Sequence, residues 1–263
     1  MKKIKTINIL ALAGIGGLLQ VTGTTVSLLS EDFEDATVAY TIDARNNNNL
    51  DPLNPPNSTT DDLSEVASGN FYGRVTQTQA GNRYGNGQGL SFYGLQDTDG
   101  FIPVEKDVDI IVLTWSNIDI TNFTDLQFSG FFAEANLGGV ETFDPTTSLI
   151  VEASIDGGGF ANVFAIESAS AGTNNLAPSV DDNFDGVGDG TLVITDQFTQ
   201  YTRSISGSGS SLDLRVTVAQ FDGGTENIGL DNIEVTGVAA VPEPSSVVLL
   251  GLGGVALILR RKK

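Results

Sequence analysis

The spacing of the apolar residues restricts the fold of this chain more than any other feature. Short runs rich in Val, Ile, Phe, Leu and Thr recur along the central sequence, broken by Gly, Asn and Asp, and helical periodicity is scarce. Leu212, Leu214, Val216 and Val218 alternate with Asp213, Arg215 and Thr217, the period-two pattern of a half-buried strand. The pattern predicts strands over residues 38–42, 71–76, 90–95, 108–115, 126–132, 149–155, 162–167, 191–195, 199–205, 212–219 and 228–235. The segment from Ser148 to Glu167 reads as a hairpin turning at Asp156-Gly157-Gly158-Gly159. About eleven strands without a helix pattern predict an all-β fold, a two-sheet β-sandwich of jelly-roll type. Residues 46–62, with four consecutive Asn and Pro52, Pro55 and Pro56, read as a long loop, and 169–180 as a shorter one. No internal repeat is visible. The sequons Asn57-Ser58-Thr59 and Asn122-Phe123-Thr124 read as chance matches.

Composition narrows the chemistry. The 263 residues include no cysteine and no histidine. Disulfides, thiolate metal sites, Cys nucleophiles, Ser-His-Asp triads and His-containing zinc sites are therefore excluded. Neither a GxSxG nucleophile turn nor a phosphate-binding loop occurs. Carboxylate pairs are too numerous to single out a glycosidase pair. The expectation is that the protein is not an enzyme and has no catalytic residues.

Charge is also uneven. Of 13 Lys and Arg residues, three precede residue 6 and four close the chain, which leaves six in the body against 32 of the 33 acids. A body carrying that excess repels phosphate backbones, so nucleic acid is not a partner. It also supplies oxygen donors for hard cations.

The two ends are of a different kind. Lys2, Lys3 and Lys5 precede an apolar run from Ile7 to Leu19, then small and hydroxyl residues to Ser27. This is the order of a secretory signal peptide, here expected over 1–27 as a helix. The alternative is a buried N-terminal helix. At the other end Val241-Pro242-Glu243-Pro244 leads into the uncharged run from Ser245 to Leu259, then Arg260-Arg261-Lys262-Lys263. As a helix that run reaches about 22 Å, short of a bilayer core of roughly 30 Å. The terminal basic cluster keeps the end cytoplasmic. The prolines hold the preceding backbone extended, as a cleavable peptide.

Pro242-Glu243-Pro244, an apolar stretch with Gly251, Gly253 and Gly254, and the basic terminus with Arg260 and Arg261 resemble the PEP-CTERM sorting signal of Gram-negative bacteria. The resemblance covers 241–263, within a tail segment of 238–263. It implies an exported protein, anchored through a short C-terminal transmembrane helix during transit. An exosortase, a membrane cysteine transpeptidase, then cuts it near Pro-Glu-Pro. It also implies association with exopolysaccharide and biofilm systems, and a final location at the cell surface or outside the cell. An anchor that is never cut is the alternative.

Between these ends the sandwich is expected over 28–237. Its first and last segments, Glu31-Asp32-Phe33-Glu34 and Gly229-Leu230-Asp231-Asn232-Ile233-Glu234-Val235, resemble the outer strands of secreted jelly-roll carbohydrate-binding modules. In those, an acid after the opening Phe and an Asp in the closing strand hold a structural calcium, which nominates Glu34 and Asp231. A second candidate is Asp181-Asp182-Asn183-Phe184-Asp185-Gly186-Val187-Gly188-Asp189-Gly190. Oxygen-bearing Asp181, Asn183, Asp185 and Asp189 fall at positions 1, 3, 5 and 9, with Gly186 at the bend. It resembles EF-hand and dockerin-like calcium loops, but Leu192 stands where a bidentate Glu belongs, and no helices flank it. An acidic Gly-rich turn is the other reading. Asp97, Asp99, Asp107 and Asp109 read as a plain acidic loop.

Tyr72, Tyr84, Phe92, Tyr93 and Trp115 suit either a sugar-stacking platform or the core, with the core favoured for Trp115. Asn82, Arg83 and Asn86 lie in a Gly-rich polar loop of a kind that carries binding residues. The expected function is therefore an exported, non-enzymatic surface or matrix protein associated with exopolysaccharide. A carbohydrate-binding or adhesion module is the alternative, followed by a polysaccharide-degrading enzyme.

Overall fold

The computed structural model describes residues 23–34, 39–46, 49–50, 71–98, 110–135, 143–174, 176–221, 223 and 225–240. Two antiparallel sheets form from these strands: β1 (Thr25–Glu31), β2 (Thr41–Asn46), β3 (Asn49–Leu50), β4 (Phe71–Thr76), β5 (Ser91–Gln96), β6 (Ile110–Asp119), β7 (Phe123–Ala133), β8 (Ser148–Ile155), β9 (Ala161–Ser168), β10 (Pro178–Val180), β11 (Thr199–Ser204), β12 (Ser211–Ala219) and β13 (Asn227–Ala239). One sheet runs β11-β7-β13-β5-β4 with β1 also paired to β13; the other runs β10-β9-β8-β12-β6-β2-β3. No helix occurs among the described residues. The fold is the expected all-β sandwich, and Thr25–Ala240 makes one compact unit.

Alternation places the core. In β12 the side chains of Leu212, Leu214, Val216 and Val218 are buried while the intervening residues are half exposed, as the period-two pattern predicts. β12 lies between β6 and β8, so both its edges are hydrogen-bonded. Facing side chains from the other sheet, among them Phe128, Phe132, Ile233 and Val235, complete the same apolar cluster. Aromatic pairs recur within it: Tyr40 against Trp115 at 5.5 Å and Phe132 against Phe164 at 4.9 Å. Tilted pairs of this kind add about 0.5–1.5 kcal/mol each beyond area burial.

The turn of the β8–β9 hairpin is Asp156-Gly157, with both residues at positive φ (50° and 72°). Asp156 also accepts hydrogen bonds from the backbone N–H of Ser210 (3.0 Å) and Ser211 (2.9 Å), which docks the turn onto the start of β12. These bonds hold its carboxyl below the usual range.

Several expectations change. Residues 191–195 do not form a strand: Val193 makes a single bridge to Ser179 on β10, an edge strand of only three residues, flanked by the bonds Val180 N–H to Leu192 O and Ile194 N–H to Pro178 O. Part of the expected 169–180 loop is β10, an edge strand on β9. Asn46, Asn49 and Leu50 of the expected 46–62 loop belong to β2 and β3, whereas 51–62 lie outside the described residues. β1 takes up Thr25, Val26 and Ser27, residues expected in the signal peptide, and β13 runs past Gly237 to Ala239. The sandwich thus extends beyond the expected 28–237 at both ends. Residues 38, 108 and 109, Asp99 and Asp107 lie outside the described residues.

Candidate functional site

The two terminal segments meet at one corner. β1 pairs with the second half of β13, Glu31 opposite Ile233, while the first half pairs with β5, so β13 changes partner close to Asp231. A register irregularity falls there, and Asn232 takes a positive φ of 45°. Bulges of this kind re-aim side chains. At the end of β1, Phe33 also takes a positive φ (56°), its N–H held by Glu31 Oε1 at 3.0 Å. This turn sends the Phe33 ring into the core against Tyr40 and Tyr93 and leaves Glu34 at the surface.

Glu34 and Asp231 then grip one loop. Glu34 Oε1 accepts the N–H groups of Leu90 (2.6 Å) and Ser91 (2.7 Å). Asp231 Oδ2 accepts the N–H of Gln88 (3.1 Å), and its Oδ1 that of Asn232 (2.8 Å). Gly89, between these donors, lies so close that a β-carbon there would collide with Glu34 Oε1. Asp231 is fully buried, and its carboxyl is pushed up to about 6. Burial is the main cause, partly offset by the two backbone bonds and reinforced by repulsion from Glu34 and Asp32. Glu31 is raised too, chiefly by burial, against the lowering effect of the Phe33 and Ala39 N–H groups. Glu34, Asp32 and Asp231 therefore offer hard oxygen donors whose mutual repulsion a cation would relieve, which fits calcium in donor chemistry. Among the described residues no three acidic side chains stand ready-gathered as a cation cage, here or elsewhere.

In the 181–190 loop only Asp181 of the four expected donors turns inward, while Asn183, Asp185 and Asp189 are exposed. Asp181 is buried: its Oδ1 accepts the N–H of Asn183 (3.1 Å) and Phe184 (2.7 Å), and its Oδ2 that of Gly186 (3.0 Å). Asn183 Oδ1 accepts Asp185 N–H and Asp185 Oδ1 accepts Val187 N–H, at 2.9 and 3.1 Å. Asp189 departs from the expected set, since it closes the loop by accepting the N–H of Asp182 (2.9 Å). Arg203 on β11 pairs with Asp182 at 2.6 Å. The sequence reading missed Glu167 of β9, which is buried beside this loop; its only signal was an acid directly after the apolar run Val163–Ile166.

The aromatic residues do not form a platform. Tyr72, Phe92, Tyr93 and Trp115 are each at most 1 % exposed, and Tyr84 packs between Phe92 and Phe198. Arg83 reaches Gln96 at 3.2 Å, and Asn82 and Asn86 serve the loop with positive φ values of 55° and 56°. A cleft of about 480 Å³ opens between the tip of the β8–β9 hairpin and residues 204–208, lined by Asn162, Ser204, Ser206, Ser208 and small apolar groups. Its lining carries hydroxyl and amide groups but no carboxylate, so it offers no acid–base pair.

Pro242, Glu243, Pro244, Arg260 and Arg261 lie outside the described residues, as do the expected C-terminal helix and residues 1–22 of the expected signal peptide. Among the described residues no helix is long and apolar enough to cross a membrane. Residues 240–263 match the family model of the PEP-CTERM protein-sorting motif. The tail is therefore a sorting motif of an exported, exosortase-processed type. No curated protein matches the chain.

Among solved structures the chain is similar to the CBM22-1 xylan-binding domain of Xyn10C from Paenibacillus barcinonensis, at 13 % identity and a TM-score of 0.39, over 84 % of this chain and 98 % of that one. It is also similar to the Stig cyclase Fisc from Fischerella sp. TAU, at 14 % identity and a TM-score of 0.44, over 83 % and 100 %. A third likeness is to a cleaved adhesin domain of Lys-gingipain from Porphyromonas gingivalis, at 16 % identity and a TM-score of 0.38, over 81 % and 98 %.

Proposed function

We propose that this chain is a non-catalytic β-sandwich delivered to the cell surface or extracellular matrix, where it serves as a structural, exopolysaccharide-associated component. An exosortase acts on it at Pro242-Glu243-Pro244 and releases the body from its membrane-anchored transit form. The observation that carries this reading is the match of residues 240–263 to the sorting motif, which begins at the residue following the last strand. A folded cargo and its address are thus joined with almost no linker.

The chemistry of the body supports a non-catalytic role. The acids at the β1–β13 corner, buried Glu31 and Asp231 and exposed Glu34, are occupied with backbone N–H groups, and the cleft lining carries no titratable group. At that corner, Glu34 and Asp231 are the residues that would hold a structural calcium, which would brace the 86–91 loop.

The test is the intact mass and location of the protein in otherwise matched cells with and without the exosortase. With the enzyme, the product should lack the segment beyond the Pro-Glu-Pro region and leave the membrane; without it, the tail should be retained and the protein should stay with the membrane. An identical mass and location in both would refute the reading. Specific capture of one glycan by the full chain on a glycan array, with calcium present, would replace the structural role by carbohydrate binding.

A further inference from the structure

The 181–190 loop has a partner that its own sequence does not reveal. The loop is stitched back onto the edge of one sheet: Asp181 N–H bonds to Ala165 O (3.0 Å), Gly188 N–H to Ser168 O (2.8 Å) and Asp189 N–H to Val180 O (2.9 Å). Two of these acceptors are on β9, on either side of Glu167. Along β9 the side chains of Phe164 and Ile166 enter the core, so Glu167 points from the opposite face. The loop covers that face, and Gly188 sits against the Glu167 and Ser179 carbonyls, where a β-carbon would come within 2.8 and 2.9 Å of them.

Glu167 is consequently only 7 % exposed, and no donor among the described residues bonds its carboxylate. The carboxylates that bear on it most are Asp181 and Asp185 of the loop, whose like charge repels its own. Among the described residues the loop's ion pair with Arg203 goes to Asp182 instead. A carboxyl packed under an acidic loop, with no hydrogen-bond donor and with like charge near it, is stabilised by a cation that joins it.

We infer that Glu167 is the missing carboxylate of a calcium site whose other side-chain donors are Asp181, Asn183 and Asp185. The twelfth position of the loop cannot serve, because Leu192 is spent on the backbone, its carbonyl accepting the N–H of Val180 at 3.0 Å. Glu167 reaches the same loop from a neighbouring strand. Loop residues 1, 3 and 5 and one distant acid together make the mixed carboxylate–amide oxygen set that calcium takes and magnesium, with its demand for tight octahedral geometry, takes poorly. The acidic side chains must converge on binding, since no three of them are gathered beforehand. This site is separate from Glu34 and Asp231 and does not depend on the delivery route proposed above.

The test is calorimetric calcium titration of the full chain, with thermal unfolding in chelator and in millimolar calcium. Wild-type protein should bind calcium and melt higher in its presence. Glu167→Gln, which keeps shape and removes charge, should weaken that binding at least tenfold and abolish most of the calcium-induced shift. It should also melt no lower than wild type in chelator, which separates loss of a ligand from loss of fold. Asp185→Asn, at an exposed position, should weaken binding likewise, whereas Glu34→Gln should leave this binding event in place. Calcium affinity unchanged in Glu167→Gln, absence of calcium binding by the wild type, or an equal response to magnesium would each overturn the inference.

Discussion

Thr25 stands opposite Val238 across the antiparallel β1–β13 ladder, so the chain enters and leaves the sandwich at the same end of one sheet. Thr25, Val26 and Ser27 contribute the first three of the six register pairs that hold β1. A cleavage that removes the expected signal segment and leaves this strand whole falls before Thr25. The intact mass of the exported protein should place its first residue at or before Thr25. A product starting at residue 28 should be less stable by roughly 1–3 kcal/mol, in line with the loss of several strand hydrogen bonds. Mass spectrometry and urea unfolding of the two forms check this.

Gly89 allows Glu34 to reach the N–H groups of Leu90 and Ser91, and a methyl group there would strike Glu34 Oε1. Gly89→Ala should force Glu34 off the loop and cost about 1–2 kcal/mol, the usual range for charge-assisted bonds to backbone. For a body of this size that corresponds to a Tm lower by roughly 2–8 °C. Gly172→Ala is the matched control, because nothing lies within 4 Å of a β-carbon there. Equal melting of both variants and wild type would show that Glu34 does not brace the loop.

The corner was legible in the sequence because it rests on local signals. An acidic opening segment and an Asp in the closing strand named both halves, and pairing of β1 with β13 brings them together. The turning of the 181–190 loop was legible for a similar reason, since Asp and Asn at alternate positions accept N–H groups from residues just ahead of them, but spacing did not tell that only Asp181 is buried. Glu167 was hidden because its role depends on which loop covers the outer face of β9, a tertiary relationship that leaves no periodic trace. β1 was hidden for another reason: Val26, Leu28 and Leu29 continue the apolar and hydroxyl character of the leader, so only pairing with β13 separates strand from signal. Trp115 and the tyrosines illustrate a third limit, as composition alone does not distinguish a sugar platform from a core, and burial assigns them to the core.

Arg215 and Glu152 form a fork on the outer face, Nε to Oε2 at 2.6 Å and Nη2 to Oε1 at 2.9 Å, with the guanidinium 3.8 Å from the Phe160 ring centre. The planar group serves carboxylate and ring together, which an ammonium cannot do. Arg215→Lys should therefore cost about 1 kcal/mol despite keeping the charge. A double-mutant cycle with Phe160→Leu should show coupling of about 0.5 kcal/mol. Additive behaviour in urea unfolding would mean that the stack contributes nothing.

Acid should stabilise this protein in chelator-containing buffer. Glu31, Asp231 and Glu167 all have carboxyls raised by burial, Asp231 from 3.8 to about 6 and Glu167 from 4.5 to about 7. A carboxyl with a raised folded pKa binds its proton more tightly in the folded state. Its stabilising contribution is complete below the unfolded value and is lost as pH climbs through the folded one. The window for Asp231 and Glu167 thus runs from about pH 4 to 7, and each loses on the order of 2–3 kcal/mol across it. Self-repulsion of a strongly acidic body acts in the same direction. Asp119 and Asp156, held low by hydrogen bonds, act only below this window, where they lose their contribution as acid protonates them. Urea unfolding should therefore give higher stability at pH 5 than at pH 7.5. Asp231→Asn and Glu167→Gln should each flatten the profile, because an amide keeps the shape without the charge. A wild-type stability that rises from pH 5 to 7.5 would mean that these carboxyls are neutralised in the fold by a partner other than a proton.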